Sequence, residues 1–152
     1  MKEKSYVMVK PEFADNPEVV AAIVKRLSDE GLEVNNGTYI HYTVEDARAH
    51  YAEHIGKEFY PPLEAYITGG VAYGMIVEGE NAIARIRALA GATKNPAPGT
   101  IRYDIPTALG LEIRVRENVV HSSDGHGSAE REIAIFKKIC KREKTKTSSQ
   151  EV

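Results

Sequence analysis

The order of strand-like and helix-like segments is the feature that most constrains the fold of this chain. Residues 5–10 (SYVMVK) are short, β-branched and aromatic, which predicts a strand. Residues 17–31 carry apolar side chains at helical spacing between a proline and a glycine, which predicts a helix. Residues 32–42 read as strand with an Asn-Asn-Gly turn signal inside, which leaves one bulged strand and two separate strands both open.

The rest of the chain continues this pattern. Thr43 with Asp46 three residues later predicts a capped helix that runs to about His54, and PPLEAYIT predicts a short helix that begins on proline. The later segments are predicted, in order, as a buried strand, a helix, an irregular stretch rich in Pro and Gly, a last strand and a helix capped by Ser128: residues 71–77, 80–90, 92–117, 119–120 and 128–138.

This order places one split βαβ-type unit at each end of the chain. The simplest packing is a four-stranded antiparallel sheet with helices on one face, which is a ferredoxin-like α+β sandwich. A length of 152 residues fits one domain with a proper core. No apolar run of the length needed to cross a bilayer is present, so no membrane contact is expected. The single cysteine, Cys140, agrees with a reducing compartment, and we expect a cytoplasmic protein.

The charge is uneven along the chain. Residues 137–152 contain six Lys and Arg against two Glu, whereas the whole chain has a net charge of −2. We therefore predict a domain at 1–138 and a basic, flexible tail at 139–152. A basic tail is also able to contact nucleic acid, but this one has no aromatic residue for base stacking, so nucleic acid is not an expected partner.

The stretch 118–132 (NVVHSSDGHGSAERE) carries the strongest chemical signal. His121 stands between an apolar strand and a loop of small polar residues that opens into a helix, whose free N–H groups favour an anion. Glu132 lies in the first turns of that helix. A carboxylate there would hold one imidazole nitrogen as N–H and leave the other free as a nucleophile. From spacing alone, an exposed loop histidine remains the alternative.

Basic and aromatic residues near turns form the second signal. Lys10 ends the first strand, and Arg87 and Arg102 follow later; such cations recognise phosphate oxygens. The phosphate-binding loop pattern GxxxxGK[ST] is absent from the sequence. Phe59 and Leu63 lie one helical turn apart beside a Pro-Pro pair and offer a surface for a flat base, or ordinary packing.

A short metal-like pattern competes with these signals. Residues 50–54 (HYAEH) fit H-x-x-E-H, in which two histidines on one helical face bind zinc and the glutamate is the base of a peptidase. A third ligand on a following helix is needed, so solvated helix histidines are the better interpretation. His121 with His126 is likewise discounted as a metal pair, and no residue is assigned as a protein ligand of a metal.

Taken together, the segments resemble the nucleoside diphosphate kinase family over nearly all of residues 4–138. The pieces that carry the resemblance are VMVKPE, HYAEHIGKEFYPPL, VEGENAIARIRALAGAT, PGTIRYD and NVVHSSDGHGSAEREI, in this order. The resemblance implies the ferredoxin-like fold, nucleoside tri- and diphosphates as substrates, and Mg²⁺ held mainly by the phosphates of the nucleotide. It also implies a homo-oligomer, with a hexamer favoured.

The resemblance assigns a role to individual residues. His121 matches the phosphorylated histidine, Glu132 the carboxylate that orients it, and Ser123 the hydroxyl that bonds this carboxylate. Phe59 matches the aromatic lid on the base, with Leu63 beside it. The residues that match those holding phosphates and sugar are Lys10, Tyr51, Arg87, Thr93, Arg102 and Asn118, of which Lys10 and Tyr51 also assist catalysis. The alternative is a catalytically weak module with the same fold that only binds nucleotides or nucleic acid.

The chain departs from the family pattern at several places. Glu12 replaces the usual aspartate after Lys-Pro, and Ser122 replaces a glycine beside the catalytic position. If residue 122 needs a positive φ, the serine costs about 1 kcal/mol or more. The loop 94–99 is shorter than usual, and the segment 103–117 is longer.

Overall fold

The computed structural model describes residues 2–115 and 118–150, with side chains as far as Lys144. The strands are β1 (Lys2–Val9), β2 (Glu33–Ile40), β3 (Ala72–Glu80) and β4 (Val120–Ser122). The helices are α1 (Pro11–Ala14), α2 (Pro17–Asp29), α3 (Val44–His50), α4 (Tyr60–Thr68), α5 (Ala82–Ala90), α6 (Ile101–Ala108) and α7 (His126–Gln150), and a 3-10 turn covers Ala52–His54.

The four strands form one antiparallel sheet in the order β2-β3-β1-β4. The first and third strands of the chain lie in the centre, and the second and fourth lie at the edges. This is the ferredoxin-like arrangement of two split βαβ units, so the predicted fold class is confirmed.

The turn signal inside β2 marks a bulge. Asn35 pairs with Ile76 and Thr38 with Gly74, so the extra residues between them interrupt the register. Asn36 has a φ of 56°, a left-handed conformation that asparagine tolerates better than most residues. Of the two interpretations left open by the sequence, one bulged strand is the observed one.

Helices cover both faces of the sheet. Along β1, alternate residues point to opposite faces: Val7 and Val9 join the cluster with α2 and α5, whereas Tyr6 and Met8 join the cluster with α4 and α7. The expectation of helices on one face was therefore wrong. Because a buried cluster lies on each side, successive residues 6–9 of β1 are apolar and do not alternate with polar ones.

The helices differ from the predicted ones at several places. α6 lies inside the stretch predicted to be irregular, where Pro106 within the helix concealed the signal. α7 begins at His126, so Ser128 lies inside the first turn and does not cap it. α3, with the predicted capping box of Thr43 and Asp46, ends already at His50.

The last helix continues beyond residue 138. Ile139 is fully buried in the α4–α7 cluster, and the guanidinium of Arg142 donates to both carboxylate oxygens of Asp46, at 3.2 and 2.9 Å. The predicted boundary between domain and tail stays a prediction. Across the described residues, no helix combines the length and hydropathy that a bilayer crossing requires.

Candidate active site

His121 is presented by the edge strand β4 toward the helix α7. β4 pairs His121 with Met8 of β1, and directly opposed residues of an antiparallel pair point to the same face of a sheet. Glu132, in the second turn of α7, approaches from that face. Its Oε1 lies 2.7 Å from Nε2 of His121. The edge strand and the helix thus bring together the two residues that the sequence singled out.

A strained turn at Val119 leads the chain into β4. Val119 has a φ of 78°, and the N–H of Val120 donates to the carbonyl of Asn118 at 3.0 Å, which defines a γ-turn. For a β-branched residue this conformation costs about 1–3 kcal/mol. Val119 itself is fully buried and its carbonyl accepts from the N–H of Lys10 at 2.8 Å. Ser122 has no positive φ, so the condition under which it would be strained is not met.

Ser123 anchors the carboxylate that contacts the histidine. Its hydroxyl donates to Oε1 of Glu132 at 2.8 Å and accepts from the N–H of Tyr6 at 3.1 Å. Its own N–H donates to the carbonyl of Tyr6 at 3.2 Å. Because Ser123 and Glu132 are both buried, these bonds fix the carboxylate, and through it the ring of His121.

The surroundings keep the imidazole of His121 neutral. Burial, followed by the positive charge of Lys10, lowers the pKa of His121 to about 3. A neutral imidazole carries one N–H. With Nε2 facing the carboxylate, the proton lies on Nε2, and Nδ1 keeps a lone pair. Burial also raises the pKa of Glu132.

Cations and donors surround the histidine. Nζ of the buried Lys10 donates to Oδ1 of Asn118 at 2.6 Å. Arg102 donates from its two Nη atoms to the carbonyls of Gly91 and Val120, each at 2.8 Å, while its Nε is buried and has no hydrogen-bond partner among the described residues. Burial and the neighbouring charge of Arg87 lower the pKa of Arg102, which nevertheless stays charged at neutral pH. Such a cluster of positive charge suits a polyanion.

Phe59 and Leu63 form an aromatic and apolar surface in the wall of a cavity that His121 also lines. Phe59 directly precedes α4, and 47% of its surface is exposed although it is a large apolar residue. Leu63, one turn further, is buried. The ring of His54 lies 5.3 Å from that of Phe59, and Nζ of Lys57 lies 5.7 Å from the centre of the same ring. The wall therefore offers an apolar face with cationic and aromatic neighbours.

The predicted residues line one cavity of about 1250 Å³. Ten of the eleven residues are in its wall, namely Lys10, Tyr51, Phe59, Leu63, Arg87, Thr93, Arg102, Asn118, His121 and Glu132. Ser123 lies behind Glu132. The hydroxyl of Tyr51 is buried and finds no hydrogen-bond partner in the described part of the chain, and burial raises its pKa, so it stays protonated. A buried donor without a partner in a cavity wall is a natural contact for a ligand oxygen.

Several wall residues were not predicted. Glu53, Asp124 and Val115 also line the cavity. Glu53 was noticed only as the glutamate of the H-x-x-E-H pattern, and Asp124, in the loop after His121, had no spacing signal of its own. Val115 lies in the long segment 103–117, whose length obscured its place, and 53% of its surface is exposed.

The H-x-x-E-H pattern does not form a zinc site. α3 ends at His50, and His54 belongs to the following 3-10 turn, so the two histidines do not share a helical face. Ligand atoms of His50, His121 and Glu132 lie within 4.8 Å of one another. However, Nε2 of His121 already donates to Glu132, and Lys10 and other cations beside it repel a further positive charge.

The fold and this cavity define an α+β enzyme of phosphoryl transfer, and comparison with known proteins supports this class. The family model for nucleoside diphosphate kinase matches residues 3–140. A nucleoside diphosphate kinase of Natronomonas pharaonis is 42% identical over 88% of this chain and 85% of the relative, and one of Archaeoglobus fulgidus is 45% identical over the same shares.

Solved structures give the same result. The chain resembles a halophilic nucleoside diphosphate kinase from Halobacterium salinarum in complex with CDP, with a TM-score of 0.81 and 38% identity over 90% of this chain and 88% of that one. It also resembles the Aquifex aeolicus enzyme, with a TM-score of 0.78 and 27% identity over 90% and 95% of the two chains. The chain belongs to the nucleoside diphosphate kinase family. It transfers the γ-phosphate of a nucleoside triphosphate to a nucleoside diphosphate, and nothing in these matches favours a module that only binds.

Proposed function

We propose that this transfer runs through His121 as a transient phosphohistidine, in two half-reactions at one site. The observation that carries the proposal is the 2.7 Å contact between Nε2 of His121 and Glu132, inside a cavity lined by cations. A nucleoside triphosphate donates its γ-phosphoryl group to the histidine and leaves as a diphosphate. A second diphosphate then enters the same cavity and takes the group, which gives ping-pong kinetics.

The attacking atom in this proposal is Nδ1 of His121. Because Nε2 carries the proton toward Glu132, the lone pair of Nδ1 is available without a separate base. When the P–N bond forms, positive charge develops on the ring, and the buried carboxylate stabilises it through the Nε2–H. The bond from phosphorus to the bridging oxygen breaks, and the diphosphate keeps that electron pair. Ser123 holds the carboxylate in place throughout.

The cations neutralise the phosphates, which is the main catalytic task in phosphoryl transfer. Lys10 and Arg102 flank the histidine, and Arg87 extends the positive surface along α5. The hydroxyl of Tyr51 and the amide of Asn118 supply neutral hydrogen bonds. Thr93, exposed on the cavity wall, adds a hydroxyl.

The base of the nucleotide lies against Phe59 in this proposal, with Leu63 and Val115 beside it. Stacking on an exposed ring uses the π-face that all bases share, and needs no contact with base edges. Broad acceptance of different nucleotides follows.

Mg²⁺ is the metal that we assign to the nucleotide. Glu53 and Asp124 place exposed carboxylates on the cavity wall, and hard oxygen ligands of this kind fit the ion together with phosphate oxygens. The ion would neutralise phosphate charge when bound. We further propose a cytoplasmic location, where nucleoside phosphates are abundant and the thiol of Cys140 stays reduced.

A labelling chase tests the mechanism. Purified protein is incubated with ATP labelled at the γ-phosphate, freed of nucleotide, and then mixed with GDP. We expect acid-labile label on the protein that moves quantitatively to GTP. His121→Gln should abolish both steps, whereas His126→Gln, an exposed histidine in the same loop region, should leave them intact. Labelled protein in the His121→Gln variant would refute the proposal.

A further inference from the structure

His50 is a buried histidine in direct contact with the nucleophile, and the mechanism above gives it no role. It is 1% exposed at the end of α3. Its ring lies edge-on to those of His121, Tyr42 and Tyr6, at 4.5, 5.6 and 5.8 Å between centres. Both of its nitrogens face polar atoms: Nε2 lies 3.2 Å from Nε2 of His121, and Nδ1 lies 3.4 Å from the hydroxyl of Tyr42.

Each tautomer of His50 has an opposite effect on the nucleophile. Burial, followed by the proximity of His121, holds the pKa of His50 well below its usual range, so the ring is neutral and has one N–H. If this proton is on Nδ1, the lone pair of Nε2 accepts from the Nε2–H of His121. If it is on Nε2, two N–H groups oppose each other unless His121 moves its own proton to Nδ1. That move would remove the attacking lone pair.

The hydroxyl of Tyr42 faces Nδ1 of His50, and it favours one tautomer when it donates to Tyr6 and the other when it accepts from Tyr6. It lies 2.7 Å from the hydroxyl of Tyr6, and burial raises the pKa of both phenols, so each keeps its single proton. When Tyr42 donates this proton to Tyr6, only lone pairs face His50, and they accept an Nδ1–H. Tyr6 is itself fixed, because its backbone N–H and carbonyl both bond Ser123.

We propose that His50 is a positioning residue that Tyr42 keeps in the Nδ1–H tautomer, so that His50 and Glu132 both accept from Nε2–H of His121 and Nδ1 of His121 stays unprotonated. The inference rests on the proposed role of His121 and adds two buried residues to it. On one side of His121, the contacts from Tyr6 through Tyr42 to His50 fix its tautomer. On the other side, Ser123 and Glu132 fix the same tautomer.

Substitution of the hydroxyl gives the sharpest test. In Tyr42→Phe, His50 is free to adopt the Nε2–H tautomer. Nitrogen-15 NMR of histidine-labelled protein without nucleotide reports the tautomer of each ring. We expect His121 as Nε2–H in the unsubstituted protein and a substantial Nδ1–H fraction in Tyr42→Phe. The rate of His121 phosphorylation should fall roughly three- to tenfold, the range for one net hydrogen bond, while the KM for nucleotides stays unchanged.

Two comparisons separate positioning from mere packing. Tyr60→Phe removes a phenol from the same buried cluster. The hydroxyl of Tyr60 donates to Glu64 and not to His50, so this variant should change neither the tautomer of His121 nor its rate of phosphorylation. His50→Phe keeps a ring of similar size without nitrogens. In that background, Tyr42→Phe should have no further effect on the phosphorylation rate, because the group through which it acts is gone.

Two results would overturn the inference. One is an unchanged tautomer of His121 in Tyr42→Phe. The other is a rate effect of Tyr42→Phe that is equally large with and without His50. The NMR measurement needs neither nucleotide nor turnover. A failure of the phosphohistidine mechanism is seen instead as absence of label in the unsubstituted protein, which leaves the tautomer result standing.

Discussion

At the scale of single residues, the site depends on a carboxylate buried with few polar neighbours. Glu132 is 3% exposed, and Oε1 contacts both His121 and Ser123. A charge-assisted hydrogen bond of this kind contributes more than a neutral one, because a buried charge interacts more strongly than one in water. The carboxylate thus sets both the direction of the imidazole and the charge it meets in the transition state.

Replacement of this carboxylate by an amide is the first prediction. In Glu132→Gln the side chain keeps its shape and loses its charge, and either end of the amide is able to face His121. We expect the single-turnover rate of phosphorylation to fall about 10–100-fold, with little change in nucleotide affinity. Rapid-quench measurements test this, with Glu130→Gln, exposed on the same helix, as the control. Equal rates in the two variants would contradict the role of Glu132.

The two depressed histidine pKa values predict how stability depends on pH. Folded His50 and His121 stay neutral at pH values where the same residues in the unfolded chain, with a pKa near 6.5, are protonated. Unfolding therefore takes up protons below pH 6.5. The free energy of unfolding should fall as the pH decreases from 6.5 to 5.5, with a slope approaching about 1.4 kcal/mol per pH unit for each histidine.

Urea unfolding at several pH values measures this slope. His50→Phe removes one of the two groups and should reduce the slope by about half. The raised pKa of Glu132 has the opposite effect on the free energy of unfolding. Protonated Glu132 stabilises the folded protein at the acidic end of the range, and this contribution is lost as the pH rises. Stability that does not change between pH 6.5 and 5.5 would mean that the two rings bind protons in the folded protein as they do in the unfolded chain.

Sequence reasoning located most of the site but not the arrangement of its buried polar groups. Ten of the predicted site residues line one cavity. They were predictable because each lies in a motif, and the order of the motifs along the chain is informative. The sequence did not reveal the role inferred for His50. The spacing of residues 50 and 54 predicted two histidines on one helix, but that helix ends at His50. The positive φ of Val119 was also hidden, since a buried valine gives no local sign of strain.

At the scale of secondary structure elements, α7 connects the site to the rest of the fold. Glu132 lies near its N-terminal end, Phe136 and Ile139 pack in the cluster beneath the sheet, and Arg142 reaches Asp46 at the start of α3. The position of Glu132 is therefore set by apolar packing further along the same helix.

Truncation of Ile139 tests this anchoring. Ile139→Ala should lower the free energy of unfolding by about 2–4 kcal/mol, because the side chain is fully buried. Lys138→Ala, exposed on the neighbouring position, should change it by less than about 0.5 kcal/mol. Denaturant unfolding of the two variants and the unsubstituted protein measures these changes, because a shift of the midpoint at an unchanged m-value reports a change in stability. A small effect of Ile139→Ala would indicate that the domain ends where the sequence predicted, at 138.

Elements with clear flanking signals were predictable, and those with conflicting signals were not. The capping box of Thr43 and Asp46 marked the start of α3 correctly. α6 was missed because Pro106 usually ends a helix and the preceding segment is rich in glycine and proline. The contact of Arg142 with Asp46 joins residues far apart in sequence, so no local pattern was able to show it.

At the scale of the whole molecule, several large apolar residues remain exposed on the single chain. The segment after α6 exposes four of them at alternate positions, namely Leu109, Leu111, Ile113 and Val115. Tyr39 is exposed on β2, whose outer edge pairs with no other strand in the described part of the chain. Exposed apolar surface and open strand edges are often covered by association.

We expect the assembly to be a hexamer. Six chains of 16.8 kDa give a particle of about 100 kDa, which sedimentation at several protein concentrations distinguishes from smaller species. Leu111→Ser, placed in the exposed apolar segment, should shift the distribution toward smaller particles, whereas Lys25→Ser on the solvent face of α2 should not. A monomer at all concentrations would contradict this expectation.

The account as a whole depends on which atom receives the phosphoryl group. The most direct measurement is to label the protein with γ-labelled ATP, digest it in alkali, and separate the two isomers of phosphohistidine. Because Nε2 of His121 is engaged by Glu132 and His50, we predict phosphate on Nδ1 alone. Phosphate on Nε2, or on any residue other than His121, would contradict the account.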